Sequence, residues 1–228
     1  PLTAAHINVA PHPTRTGAFQ LTANEKVGVL TIGDLEIRIA PRFGTSKLVQ
    51  MLDEALGRIR VANPGTWAHS DDIVVAVAAL YTELVGRTLR TGLARGYAHR
   101  EEALNVVRGQ IRFGDFIGRR LALPPPIDVS YDEFTADIPL NQVLRSALEL
   151  LLRWSGRLPS LLQRQLARLR EAFALVTPWP RGARPPAIAL TRLHDRWEPA
   201  LNLACAILDA SAFHFRSGAL RASGMLFD

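Results

Sequence analysis

Between residues 27 and 40 the side chains alternate, with Leu35, Ile37 and Ile39 on one side and Glu36 and Arg38 on the other. This is the period of a strand with one face against a core. Gly33-Asp34 is a two-residue connection that favours a tight hairpin, so the pattern predicts 26–32 paired antiparallel with 35–40, and 18–22 as a candidate third strand. Beyond the hairpin the period lengthens. Thr45 or Ser46 is placed to cap a helix whose Leu48, Leu52, Ala55 and Ile59 form one stripe, ended by Asn63-Pro64-Gly65. Ser70, Asp71 and Asp72 then supply a cap and acidic first turn for a longer helix. Ile73, Val77, Leu80 and Leu84 make its inner face, Tyr81, Val85 and Leu89 widen it, and Gly92 is a stop.

From Tyr97 to Phe134 the pattern breaks into short pieces, read as strands over 103–113 and 127–134 separated by Leu123-Pro124-Pro125-Pro126. Asp137 is expected to cap the next helix, with Ile138 and Pro139 in its first turn and Leu140, Leu144, Ala147 and Leu151 inward, until Trp154-Ser155-Gly156. A further amphipathic helix places Leu162, Leu166, Leu169 and Phe173 inside and Arg164, Arg168 and Glu171 outside. After the loop 177–186, a helix over 197–212 sets Leu201, Cys205 and Leu208 on one face, with Pro199 tolerable near its start. The expected fold class is α+β. A small strand-rich unit with a projecting hairpin spans 1–45, and a mostly helical body spans 46–228, with short strands near 98–134.

Composition narrows the class. At 228 residues and 48% hydrophobic, the chain can bury a core and is neither disordered nor a repeat. Its most apolar run, 73–80, is soon broken by Glu83 and Arg87, so no membrane span is expected. The opening residues lack the pattern of a secretory signal, and the single Cys205 can form no internal disulfide, which together point to the cytoplasm. The net charge is +6, and Lys26 and Lys47 are the only lysines. An arginine excess of this kind suits nucleic acid or an acidic protein surface, and equally follows from a biased genome composition.

Several chemistries are excluded by residue order. A metal-dependent nuclease of the PD-(D/E)xK kind needs an acid two residues before a lysine, and those positions hold Asn24 and Thr45. A phosphate-binding loop needs glycine before its lysine, and Glu25 and Ser46 stand there. The six histidines show no pair at i, i+4 and no cysteine companion, so no metal ligands are assigned. Cys205 reads as core, and His194-Asp195 has no nucleophile to serve. No catalytic residue is assigned.

Two basic sets remain. Arg95, His99, Arg100, Arg108, Arg112, Arg119 and Arg120 crowd the middle of the chain, and in a strand Arg108, Gln110 and Arg112 share one side. Such a row, with Arg95 and Arg100, is a candidate nucleic-acid contact, or else Arg108 and Arg112 pair with Glu101, Glu102, Asp115 or Asp132 to tie strands together. The second set is Arg38 and Arg42, followed by Phe43. An arginine past the end of a hairpin can be held stiffly enough to enter a neighbouring subunit's nucleotide site; otherwise it is a solvated strand or loop residue.

Several segments, in order, resemble the McrC family of modified-cytosine restriction systems. They are Val27-Gly28-Val29, Leu35-Glu36-Ile37-Arg38-Ile39-Ala40-Pro41-Arg42, Leu48-Val49-Gln50-Met51-Leu52 and Gly92-Leu93-Ala94-Arg95-Gly96-Tyr97. Val107-Arg108-Gly109-Gln110-Ile111 is similar to the family's Arg-Gly-Arg-Ile element, with Gln110 replacing the commoner arginine, and Arg42 stands where lysine is frequent. The most specific block runs from Tyr131 to Asn141 and contains Asp137-Ile138-Pro139-Leu140-Asn141. Trp197 to Leu208 resembles the following helix, and Gly224-Met225-Leu226-Phe227-Asp228 looks like the entry to the nuclease domain. The resemblance implies a truncated chain, or a variant without that domain. By the same resemblance this region would dock on a McrB-type hexameric AAA+ GTPase and stimulate GTP hydrolysis, with Arg38, Arg42 and Phe43 as its partner-binding residues. GTP and Mg2+ would sit on the ring, a divalent metal in the missing nuclease, and DNA would be engaged through the whole complex. The competing reading is a direct nucleic-acid-binding domain built on the central arginines.

Overall fold

A computed structural model of the chain describes residues 7–23, 26–32, 34–40, 72–112, 126–180, 182–211, 214–217 and 220–227. The helix expected after Thr45 or Ser46, together with Arg42, Phe43, Arg119 and Arg120, lies outside the described residues.

The first described helix, α1 (Ile73–Leu89), begins where Asp72 accepts the Val74 amide at 2.9 Å, satisfying a first-turn donor. It is buried on more than the one stripe its periodicity suggested, because it packs against two other helices and against the sheet. Its Tyr81 hydroxyl donates to the Leu144 carbonyl at 2.5 Å, locking it to the next helix. That helix, α2 (Pro139–Arg153), opens on a proline whose missing N–H costs nothing at this position. Asp137 does not cap it. Ile138 occupies the cap position with no side-chain bond, and the Asp137 carboxylate turns to other donors described below.

Helix α3 (Ser160–Ala172) buries Leu162 and Leu166, with Phe173 buried just beyond it. The carbonyls of Phe173, Ala174 and Val176, left over past its end, accept from Arg145 of α2. Helix α4 (Glu198–Ala210) also has a proline in its first turn. Its buried stripe is Ala200, Leu203, Ala204 and Ile207, with Leu201 alongside, so the face is rotated from the one expected and Cys205 is only half-buried. The small residues at 200 and 204 allow close approach to α2. None of the described helices is long and apolar enough to cross a membrane.

The described strands form three antiparallel sheets. β1 (Ile7–Pro11) and β2 (Phe19–Ala23) pair with each other. β3 (Val27–Ile32) and β4 (Leu35–Ile39) make the expected hairpin, with Ile32 opposite Leu35. The third strand beside β3 is not 18–22 but β9 (Leu220–Phe227), and β8 (His214–Ser217) completes the order β4-β3-β9-β8. This sheet pairs β3 with a strand from late in the chain. Gly28 makes the pairing possible. Its φ is +151°, and a Cβ there would stand 1.9 Å from the Met225 carbonyl oxygen.

The last sheet contains β5 (Gly96–Leu104), β6 (Gln110–Ile111) and β7 (Ile127–Thr135) in the order β5-β7-β6. The continuous strand expected over 103–113 is broken, since β5 ends at Leu104 and only two residues resume pairing after Gly109. Gly109 has φ +71°, and a Cβ would lie 2.3 Å from the Ser130 carbonyl oxygen. The α+β class holds, with the helices packed on one face of the four-stranded sheet through Val29 and Met225. On the other face Leu30 and Leu226 gather with Ile7 of β1.

Candidate functional site

Alternation along β4 decides where the hairpin's charges go. Glu36 is opposite Thr31 and Arg38 opposite Val29, so both share the face of Val29, which rests on the helices. Ile37 and Ile39 join the smaller cluster on the opposite face. Among the described residues β4 is an edge strand, paired only with β3. There Arg38, 67% exposed, donates through Nε to Glu36 Oε1 at 2.7 Å, and Arg157 reaches Glu36 Oε2 from the turn Ser155–Arg157 that follows α2. Arg157 is nearly buried, stacks 5.2 Å over the Trp154 ring, and lies 3.8 Å from Asp72, the α1 cap. The pairing of Arg38 with Glu36 was legible as an i, i+2 pair in a strand. Arg157 was not, because nothing local links it to the hairpin.

The central arginines do not form a row. Antiparallel register puts Glu101, Ser130 and Gln110 on one face of the β5-β7-β6 sheet, and Arg100, Tyr131 and Val129 on the other. Arg112 extends to Glu101 on the first face, at 2.6 Å. Arg108 lies on the second, stacked 4.1 Å over Tyr131 and 3.9 Å from Glu133. The positive φ of Gly109 is the reason, since it interrupts the alternation that would have put Arg108 and Arg112 together. Arg100 pairs with Glu133 at 3.3 Å and Asp137 at 3.6 Å. Arg95 is exposed, and its backbone carbonyl meets His194 Nε2 at 3.2 Å. Of the carboxylate partners expected for Arg108 and Arg112, Glu101 meets Arg112, whereas Arg108 lies beside Glu133 instead.

The same sheet presents an exposed aromatic pair. Tyr97 and Phe134 are 77% and 55% exposed with ring centroids 5.3 Å apart. Next along that face His99 lies between Asp132 and Glu101, and its pKa is raised, first by the hydrogen bond to Asp132, with desolvation opposing.

The block containing Asp137 and Asn141 is a joint between elements. Asp137 accepts from the Thr177 amide and hydroxyl, both at 2.8 Å, and from Gln142 Nε2 at 2.9 Å. Partial burial opposes the charge on this carboxyl, but the bonds from Gln142 and Thr177, with Arg100 nearby, hold its pKa below the ordinary value. Asn141 is fully buried and donates to the carbonyls of Ala94 and Ala136 at 2.7 and 2.6 Å. Strand β5, the β7–α2 junction and the segment after α3 are thereby fastened at one point.

A curated-protein comparison finds no match. Among solved structures, the chain is similar to one in the cryo-EM structure of the Thermococcus gammatolerans McrBC complex, at 20% identity and TM-score 0.58, covering 92% of this chain and 63% of that one. It is also similar to one in a half-complex from a tetradecameric assembly of Thermococcus gammatolerans McrB AAA+ hexamers with bound McrC, at 19% identity and TM-score 0.59, covering 96% of this chain and 52% of that one. These likenesses establish a shared fold, and the chain spans less than two thirds of the length of either. The family model for the McrBC 5-methylcytosine restriction system component matches residues 21–228, from β2 through the Asp137 joint to the closing strand β9. The chain belongs to the family of McrBC 5-methylcytosine restriction system components.

Proposed function

We propose that this chain is the ring-docking region of a McrC-type subunit, which binds a McrB-type hexameric AAA+ GTPase and stimulates its GTP hydrolysis to couple it to DNA cleavage. The observation that carries the reading is the family match over nearly the whole chain, and the shared fold with McrBC assemblies supports it. Arg38 is a described residue placed to meet a partner, being exposed on a strand paired to β3. Arg42 and Phe43, which follow β4 in sequence, are proposed as further contacts. GTP and Mg2+ belong to the ring, and DNA is reached through the complex.

A guanidinium presented by a stiff element can stabilise charge developing on a transferred phosphoryl group, or reposition an acid that orients water. The alternative, direct nucleic-acid binding through the central arginines, has less behind it because Arg108 and Arg112 lie on different faces of the sheet and make no single row. The test is size-exclusion mixing with the cognate ring protein and a GTP analogue, with hydrolysis assayed in parallel. Co-migration with stimulated hydrolysis is expected. Salt-dependent DNA binding without the ring, and no co-migration, would transfer the function to the sheet arginines.

A further inference from the structure

Glu36 offers one carboxylate oxygen to each of two arginines: Oε1 to Arg38 on its own strand, and Oε2 to Arg157 of the helical body. The two guanidinium groups differ in freedom, with side chains 67% and 13% exposed respectively. Arg157 is held on three sides, by the Trp154 ring, by Asp72 at the start of α1, and by Glu36. Its own turn is braced as well, because Gln163 Nε2 donates to the carbonyls of Ser155 and Leu158 at 2.8 and 2.7 Å. The strand it grips is the least supported of the hairpin, since β4 pairs only with β3 among the described residues.

Burying an arginine is costly, and an apolar residue of similar volume usually stabilises a fold as well or better, so a retained buried ion pair is a candidate device for fixing geometry. Here the geometry fixed is that of Glu36, and through its second oxygen that of Arg38. We propose that Arg157 is a positioning residue for ring stimulation, setting the angle of β4 and of the Arg38 guanidinium relative to the helical body. The inference rests on the reading that the hairpin acts on a partner's nucleotide site. An ion pair at each oxygen of one carboxylate restricts its rotation, so loss of Arg157 frees Glu36 and, through it, Arg38.

The experiment uses the whole chain with the ring protein, and compares Arg157→Met, Glu36→Gln, the double variant and Arg157→Lys. Arg157→Met is expected to lower the hydrolysis rate at saturating chain by about tenfold while changing ring affinity less than about threefold. Glu36→Gln should act in the same direction, the double variant should be no worse than the stronger single one, and Arg157→Lys, which keeps a positive charge opposite Glu36, should recover part of the rate. A folded Arg157→Met chain that stimulates like the wild type while Arg38→Ala does not would overturn the positioning role alone. Additive losses in the double variant would overturn it too. Should Arg157→Met fail to fold, Glu36→Gln decides, because it alters an edge strand and normal stimulation by it rejects the relay. Full stimulation by both Arg38→Ala and Arg42→Ala would instead reject the underlying reading of the hairpin.

Discussion

Asp137 shows how one side chain can serve a different purpose from the one its position advertises. Standing just before a helix, it has the residue type of a cap, yet its carboxylate gathers the Thr177 amide and hydroxyl and the Gln142 amide. Asp137→Ala should cost about 2 kcal/mol by stranding these donors, and lower the melting temperature by about 4–8 °C. Because the folded pKa lies below the unfolded one, the stabilisation is complete above the ordinary carboxyl range and is lost as pH falls through the depressed folded value. Melting curves of wild type and Asp137→Asn should therefore converge in acid and separate toward neutral pH. A constant separation would show that packing rather than charge is responsible. Gly28 is the second residue of this kind. Gly28→Ala puts a Cβ against the Met225 carbonyl at a positive φ, and should destabilise by at least about 2 kcal/mol in urea unfolding.

The elements carry the functional contrast. If the hairpin is the stimulating element, Arg42→Ala leaves thermal stability unchanged but lowers stimulated GTP hydrolysis by about tenfold, on the order of 1.4 kcal/mol in the barrier. Binding to the ring falls much less, as titration at fixed ring concentration would show. The β5-β7-β6 sheet behaves oppositely. Arg112→Ala removes an exposed pair with Glu101 and is expected to cost under about 1 kcal/mol, with unaltered stimulation and no change in the salt dependence of any DNA retention. A Arg112→Ala chain that folds normally and yet fails to stimulate would move the working surface from hairpin to sheet. Arg108 needs a control for packing, because it covers the Tyr131 ring and a loss there would mix charge with contact.

At the scale of the molecule, β3 lies inside a sheet that includes β8 and β9 from late in the chain, whereas among the described residues β1 and β2 pair only with each other. Native-state hydrogen exchange should find the Val29 and Leu30 amides among the slowest, opening only with global unfolding, and the β1–β2 amides much faster. Equal exchange in both would mean that the hairpin opens locally, which would remove the rigidity assumed for Arg38. The amino-acid order by itself determined a good deal: the hairpin from its alternation and turn, and the approximate spans of α1 to α4 from their apolar periodicity. These depend on neighbours a few residues apart, where geometry follows directly from residue type. Only the tertiary structure decided that β9 rather than 18–22 flanks β3, that Arg108 and Arg112 point to opposite faces, that Asp137 fastens a distant loop, and that Arg157 grips Glu36. The reason is the same in each case: the partner lies far along the chain or beyond a glycine whose backbone angle breaks the alternation, and neither local propensity nor periodicity encodes which distant group will close the contact.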